Sequence, residues 1–303
     1  MKFKKVLLLG AVKSKLDSQS WKKICELSQN LKDADCLLVE FLAKIKIDKD
    51  FLDQTPKLKY IGTFSTGYGR VDTDYAKKKH IAVCNLPGPT TEAVAEFVFA
   101  ILLNEMRLLE AGKKRVKKGN YSEAGLLSSE IRYKVFGILG LGRIGKRVAE
   151  IALGFGANVR YWSMHRKNDY ERKNVKYQDA DSLIAQSDFL SLHFVLNSDT
   201  QKFLNGKRIK MIKKGAIVIN VSPMELVDID ALAQRLDKND MIFLWDHSDE
   251  MSKEDLSKLA KYKNSIIYPP MAYFTKEALA AKQKIFIENL INFLKGTPIN
   301  RVN

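Results

Sequence analysis

Directly after the apolar run Val135 to Leu139, the chain reads Gly140-Leu141-Gly142-Arg143-Ile144-Gly145, three glycines in the spacing GxGxxG. Gly140 permits a tight turn, Gly142 lets backbone amides approach a pyrophosphate, and Gly145 lets the following helix lie close to the strand. Glycine turns are common, so the motif alone is weak. Here strand, motif, amphipathic helix and second strand follow in order in KVFGILGLGRIGKRVAEIALGFGANVRYW, and that context makes dinucleotide binding the better reading.

The second strand, Asn158 to Trp162, would end in Asp or Glu if it held an unmodified adenosine ribose. It ends in Ser163, followed by Met164, His165, Arg166 and Lys167. A carboxylate repels a 2′-phosphate, whereas a small hydroxyl among cations accepts one. The expected cofactor is therefore NADP or NAD, with NADP favoured. A solvated basic loop is the plainer alternative for Arg166 and Lys167.

A second stretch, GAIVINVSPMELVD, reads as a buried strand, Ala216 to Asn220, with Ser222-Pro223-Met224 beyond it. In an α/β protein that position usually carries a reactive or ligand-holding side chain. The 4 histidines are His80, His165, His193 and His247, and the 3 cysteines Cys25, Cys36 and Cys84 lie outside any CxxC spacing. No metal set is expected, and reduced core thiols point to a cytoplasmic protein.

Short apolar runs alternate with amphipathic stretches along the chain, from KKVLLLG, SQSWKKICELSQNL, ADCLLVE, LKYIGTF, VDTDYAKKKH and IAVCNL to KVFGILG and its successors. Such alternation predicts parallel sheets covered by helices, an α/β fold of two doubly wound domains. Helical spacing of Ala95, Val98, Ile101, Leu102 and Glu105 predicts one long helix from Thr91 to about Lys118. The closing helix, TKEALAAKQKIFIENLINFLKG, packs back onto the first unit in this reading. The expected domains are 1–98 with 273–303, and 99–272.

Net charge is +16, and 12 of the 51 basic residues are arginine, leaving 39 lysines spread along the chain. Nucleic-acid readers lean on arginine, and the densest run, AGKKRVKKGNY, has no interleaved aromatics. That run is expected to be a solvated helix end. No stretch approaches the roughly 20 apolar residues of a membrane span. A small-molecule substrate is the expected partner.

With these motifs in place, the chain resembles the D-isomer-specific 2-hydroxyacid dehydrogenases from Leu58 onward. LKYIGTFSTGYGRVD resembles the family's substrate loop, in which the amides around Ser65, Thr66 and Gly67 hold a carboxylate. NLPGPTTEAVAEFVFAILL resembles the entry to the cofactor domain and implies that Thr91 lies near the nicotinamide. SLHFVLNSDT resembles a segment usually written LHxPLTxxT, with Val195 where proline is usual and His193 adjacent to the cofactor or structural. The resemblance also implies that Val221 lines the cofactor, that Asp246 contacts the nicotinamide carboxamide, and that the protein is a homodimer. The implied folds are a flavodoxin-like substrate domain and a Rossmann cofactor domain.

The same resemblance exposes departures. The family's arginine falls on Pro223 in Asn220-Val221-Ser222-Pro223-Met224-Glu225-Leu226-Val227-Asp228, with Met224 in place of glycine. Its proton-moving histidine falls on Pro270 in Tyr268-Pro269-Pro270-Met271-Ala272, and its glutamate on Met251, just after Asp249 and Glu250. Each replacement removes charge or proton-transfer ability, so the family's usual proton and anion chemistry cannot run through these positions. His247, Glu250 and Tyr268 are the candidate substitutes. The implied activity is hydride transfer to or from a small 2-oxo or 2-hydroxy acid, or a related carbonyl, at a non-standard site. The alternatives are an inactive dinucleotide sensor or partner-binding dimer, and a polyanion binder.

Overall fold

The computed structural model describes residues 3–10, 30–40, 45–171, 174–248 and 251–303. The expected helix SQSWKKICELSQNL lies almost wholly outside them. The chain divides into two compact units, Met1–Thr90 with Thr275–Asn303, and Thr91–Phe274.

The first unit holds the strands β1 (Val6–Leu9), β2 (Cys36–Val39), β3 (Tyr60–Thr63) and β4 (Ala82–Cys84), parallel and in the order β1-β2-β3-β4. Successive side chains of a strand face opposite ways, so each strand feeds two cores. Leu37, Val39, Ile61 and Val83 pack with Ile47, Leu52 and Ala76 on one face. Cys36, Leu38, Tyr60, Ala82 and Cys84 pack with Phe286 and Leu290 on the other. Those last two residues belong to the closing helix Lys276–Leu294, whose first turn is capped by the Thr275 hydroxyl accepting from the Ala278 N–H. Gly62 in β3 makes the close approach possible, since a Cβ there would lie 3.2 Å from the Phe286 ring. Full burial of a side chain such as Phe286 contributes about 2 kcal/mol.

The second unit holds β5 (Val135–Leu139), β6 (Asn158–Trp162), β7 (Val175–Tyr177), β8 (Phe189–Leu192), β9 (Ile217–Asn220), β10 (Ile242–Trp245) and β11 (Ser265–Ile267). They form a 7-stranded parallel sheet in the order β11-β10-β9-β8-β5-β6-β7. From β5 the chain winds one way through β6 and β7, then returns to the other side of β5 at β8. The reversal between β5 and β8 is a topological switch point, where the connections diverge and leave a crevice at the strands' C-terminal ends.

Two local expectations need correction. The helix from Thr91 ends at Met106, and Leu108 takes a left-handed conformation (φ 53°) before a separate exposed helix, Leu109–Val116. The apolar face that would keep a longer helix docked stops at Met106, which packs in the core with Val98, Ile101 and Leu102. The strand β7 was not anticipated: only Val175 of its three residues is fully buried, which leaves almost no period-two signal.

Candidate functional site

All strands of the second sheet run parallel, so their C-terminal ends share one edge. Topology alone therefore brings the Gly140–Gly145 turn, Ser163, His193, Val221, Asp246 and Tyr268 to the same rim, each just beyond a different strand.

The glycine turn is built around close approaches. Gly140 sits at φ +99°, and a Cβ there would lie 2.7 Å from the His193 carbonyl oxygen. A Cβ on Gly145 would collide with the Gly140 carbonyl. Gly142 differs: a Cβ there would meet nothing within 4 Å, so its missing side chain leaves open space in front of the helix Arg143–Gly154. Helices beginning at Ala180, Gly206, Ile229 and Lys253 are capped by the side chains of Asp179, Asn205, Asp228 and Ser252. The helix after Gly142 has no side-chain cap and no acid in its first turn. Its first amides and its dipole thus face an open cradle, the arrangement that takes a pyrophosphate.

Ser163 completes the turn. Its buried hydroxyl oxygen accepts the Leu141 N–H at 2.7 Å, and the Gly140 N–H donates to the Trp162 carbonyl at 2.8 Å. Beyond it, Met164 and His165 are exposed. Arg166 is not a loose cation: it forks onto Glu171, Nε to Oε1 at 2.7 Å and Nη2 to Oε2 at 2.9 Å. Tyr161 donates its hydroxyl to Glu171 Oε1 at 2.9 Å and accepts the Lys167 N–H at 2.9 Å. The Arg166 hydrogen bond, more than any other influence, holds the Glu171 carboxyl at about 2. Glu171 is a residue that the sequence reading passed over, and it gives the loop a carboxylate to set against the Arg166 charge.

Across the switch point, His193 follows β8. Its Nε2 lies 2.8 Å from the Ser191 hydroxyl, and its buried Nδ1 has no hydrogen-bond partner. Burial depresses its titration to about 3, so the ring is neutral. Beyond β9, the Asn220 side chain accepts the Ser222 N–H at 3.1 Å and donates to Met224 Sδ at 3.2 Å. The Ser222 hydroxyl donates to the Leu192 carbonyl at 3.0 Å. Met224 is buried in the core cluster around Leu192 and Leu226, and Pro223 starts a short 3-10 turn, Met224–Leu226. The loop after Asn220, which bears Val221, is thus held by its own polar groups and by a thioether.

Buried Asp246, after β10, accepts the Ala272 N–H at 3.1 Å, and so fastens the loop that carries Pro270 and Met271. His247 Nε2 lies 3.8 Å from Asp246 Oδ1 and is partly exposed. Glu250 and Asp249 lie outside the described residues. Tyr268 packs edge-on against Phe97 (centroids 5.7 Å, 84°), and burial first, then Glu105, raises its hydroxyl above the ordinary tyrosine value. Its ring is turned toward the helix Thr91–Met106. Thr91 is the first residue of that helix, and Glu92 beside it pairs with Arg147 of the helix after the glycine turn at 2.7 Å.

In the first unit the loop after β3 has its carbonyls pinned. Ser65 O accepts from the Leu86 N–H at 3.0 Å, Thr66 O from Asn85 Nδ2 at 2.7 Å, and Gly67 O from the Ser65 hydroxyl at 2.6 Å. In a trans peptide the next N–H points opposite to the carbonyl. The N–H groups of Thr66, Gly67 and Tyr68 therefore point away from those three partners, and a Cβ on Gly67 or Gly69 would meet nothing within 4 Å.

Residues 99–272 match the model of the D-isomer specific 2-hydroxyacid dehydrogenase NAD binding domain. The chain belongs to that family. Among curated family members it is 34% identical to the glyoxylate reductase of Thermococcus litoralis over 286 residues, covering 91% of this chain and 86% of the relative. The glyoxylate reductase of Aeropyrum pernix is 33% identical over 287 residues, covering 90% and 84%. Among solved family structures, D-lactate dehydrogenase from Aquifex aeolicus, complexed with NAD and lactic acid, superposes with a TM-score of 0.86 at 29% identity, covering 96% of each chain. An acyclic imino acid reductase in complex with NADPH and D-Arg gives 0.85 at 28%, covering 99% of this chain and 100% of that one. The family's cofactor is a nicotinamide dinucleotide, and the open cradle at Gly142 fits its pyrophosphate. Among the described residues, no helix is long and apolar enough to cross a membrane.

Proposed function

We propose that this family member is an NADPH-preferring reductase of a small 2-oxo acid or related carbonyl, working without the family's arginine and histidine. The observation that carries the reading is the open cradle at Gly142, in front of an uncapped helix at the switch point. A bound nicotinamide dinucleotide supplies the hydride. The chain's own residues bind and orient: the helix amides hold the pyrophosphate, and the Thr66, Gly67 and Tyr68 amides hold the substrate carboxylate. Asp246 fixes the loop of Pro270 and Met271 within the cofactor unit.

His247 is the group we assign to proton movement, supported by its Nε2 lying 3.8 Å from the Asp246 carboxylate at the ligand edge of the sheet. The preference for NADPH is supported by the uncharged Ser163 and by Arg166, which keeps its outer N–H donors beyond the fork to Glu171. A homodimer is supported by apolar side chains left exposed after the Met106 break: Leu109, Val116, Tyr121 (80%) and Leu127 (96%). Buried thiols at Cys36 and Cys84 support a reducing, cytoplasmic setting.

Incubating the protein with NADPH and a panel of 2-oxo acids and aldehydes tests the reading. Consumption of NADPH with at least one 2-oxo acid is expected. Tight NADPH binding by folded protein, with no consumption on any panel member, overturns it.

A further inference from the structure

The strands of the second sheet are parallel, so their N-terminal ends share the edge opposite the glycine turn. The connections into β9, β10 and β11 arrive there, and the Gly215 N–H ties two of them together by donating to the Asp240 carbonyl at 2.7 Å. A cavity of about 440 Å³ lies at this edge, and Glu105, from the last turn of the helix Thr91–Met106, also lines it.

The polar lining of the cavity is short of donors. Asn264 is only 8% exposed, and its Nδ2 donates to the Leu236 carbonyl at 3.0 Å and to the Met241 carbonyl at 2.9 Å. Both amide hydrogens are then engaged, and Oδ1 accepts from none of the described residues. Asp240 Oδ2 accepts from Arg235 Nη1 at 2.9 Å, while the buried Oδ1 has no hydrogen-bond partner. Glu105 accepts from the neighbouring Asn104 side chain at 3.0 Å, and no ion pair reaches it among the described residues. A buried acceptor is costly to keep without a donor.

The local field has the matching sign. The helices Gly206–Met211, Ile229–Leu236 and Lys253–Ala260 lead into β9, β10 and β11, so their C-terminal, partially negative ends come to this edge. Arg235 balances the Asp240 charge. Lys263, the cation of the lining, is exposed and pairs with neither carboxylate among the described residues. Met241, Ile242 and Ile266 supply the apolar part of the wall. No group of metal-ligating side chains forms among the described residues, which turns the choice from a metal ion to an organic cation.

We propose that this cavity is a second ligand site, separate from the cofactor edge, for a primary ammonium on a short aliphatic chain. The ammonium donors meet Asn264 Oδ1, Asp240 Oδ1 and the Glu105 carboxylate, and Glu105 supplies the opposing charge. The aliphatic part lies along Ile242 and Ile266.

Calorimetric titration with n-pentylamine, charged at neutral pH, tests the site, with n-pentanol as its uncharged match. Saturable binding of the amine is expected, undiminished by saturating NADPH, with n-pentanol weaker on the order of tenfold. Glu105→Gln keeps the shape of the side chain and its bond from Asn104, and should weaken the amine about tenfold at an unchanged melting temperature. Glu105→Lys should abolish binding. Folded wild-type protein that fails to bind n-pentylamine, binds n-pentanol equally well, or releases the amine to NADPH overturns the proposal. So does a Glu105→Lys protein that binds the amine as tightly as wild type.

Discussion

Ser163 holds Leu141. The hydroxyl oxygen at the end of β6 accepts the N–H in the middle of the glycine turn at 2.7 Å, so the residue we propose for the ribose corner also shapes the turn itself. Ser163→Asp puts a carboxylate at that corner. NADPH affinity should fall on the order of a hundredfold relative to NADH. Fluorescence titration with both cofactors measures the ratio, and an unchanged ratio removes the argument for NADPH.

Gly142 and Gly145 respond differently to one added methyl group. Gly142→Ala fills only open space, so the melting temperature should hold while dinucleotide affinity drops on the order of tenfold. Gly145→Ala drives a Cβ into the Gly140 carbonyl, and should lower the melting temperature itself. Equal loss of stability in both variants contradicts the cradle.

Glu171 is lowered from 4.5 to about 2 by its Arg166 and Tyr161 partners. A depressed carboxyl stabilises the fold above its unfolded value and loses that contribution as pH falls toward its folded one. Wild-type protein should therefore lose melting temperature between pH 4.5 and 2 by a small increment that Glu171→Gln abolishes. The same variant releases Arg166 and should tighten NADPH. Weaker NADPH binding in Glu171→Gln rules out a phosphate role for Arg166.

His193 is neutral in the fold, with its titration moved from 6.5 to about 3 by burial. The unfolded chain takes up a proton there below 6.5 while the native state does not, so stability falls with pH across that window. The loss approaches about 1.4 kcal/mol per pH unit. His193→Gln should flatten the stability profile from pH 6.5 downward, as followed by urea unfolding. A profile as steep as wild type locates the pH dependence elsewhere.

Leu127 and Tyr121 are the most exposed apolar side chains of the segment after Val116. Leu127→Glu with Tyr121→Glu should turn a dimer into a monomer in sedimentation analysis. Sedimentation of wild-type protein as a monomer at micromolar concentration counts against the dimer.

Much of this was legible because its signals are local. The GxGxxG spacing, the strand before it and the strand ends at Ser163 and Asp246 are read from neighbouring residues. Other features depend on contacts that no short pattern encodes. Leu108 breaks a helix without glycine or proline, because the buried stripe ends two residues earlier at Met106. Arg166 looks like a free cation until Glu171 comes round the turn to meet it. Lys282 reads as one more surface lysine in a lysine-rich helix, and only the packing of Phe64 and Phe286 shows it to be buried.

Met224 bears on how such a site evolves. Its side chain fills the core behind the loop and its sulfur receives the Asn220 amide. Met224→Gly would leave a cavity costing about 3 kcal/mol or more, while Pro223→Arg alone would place a guanidinium on a loop still braced by a thioether. Position 223 is thus coupled to position 224: a change at the first leaves the thioether brace standing, and a change at the second removes core packing that the loop stands on.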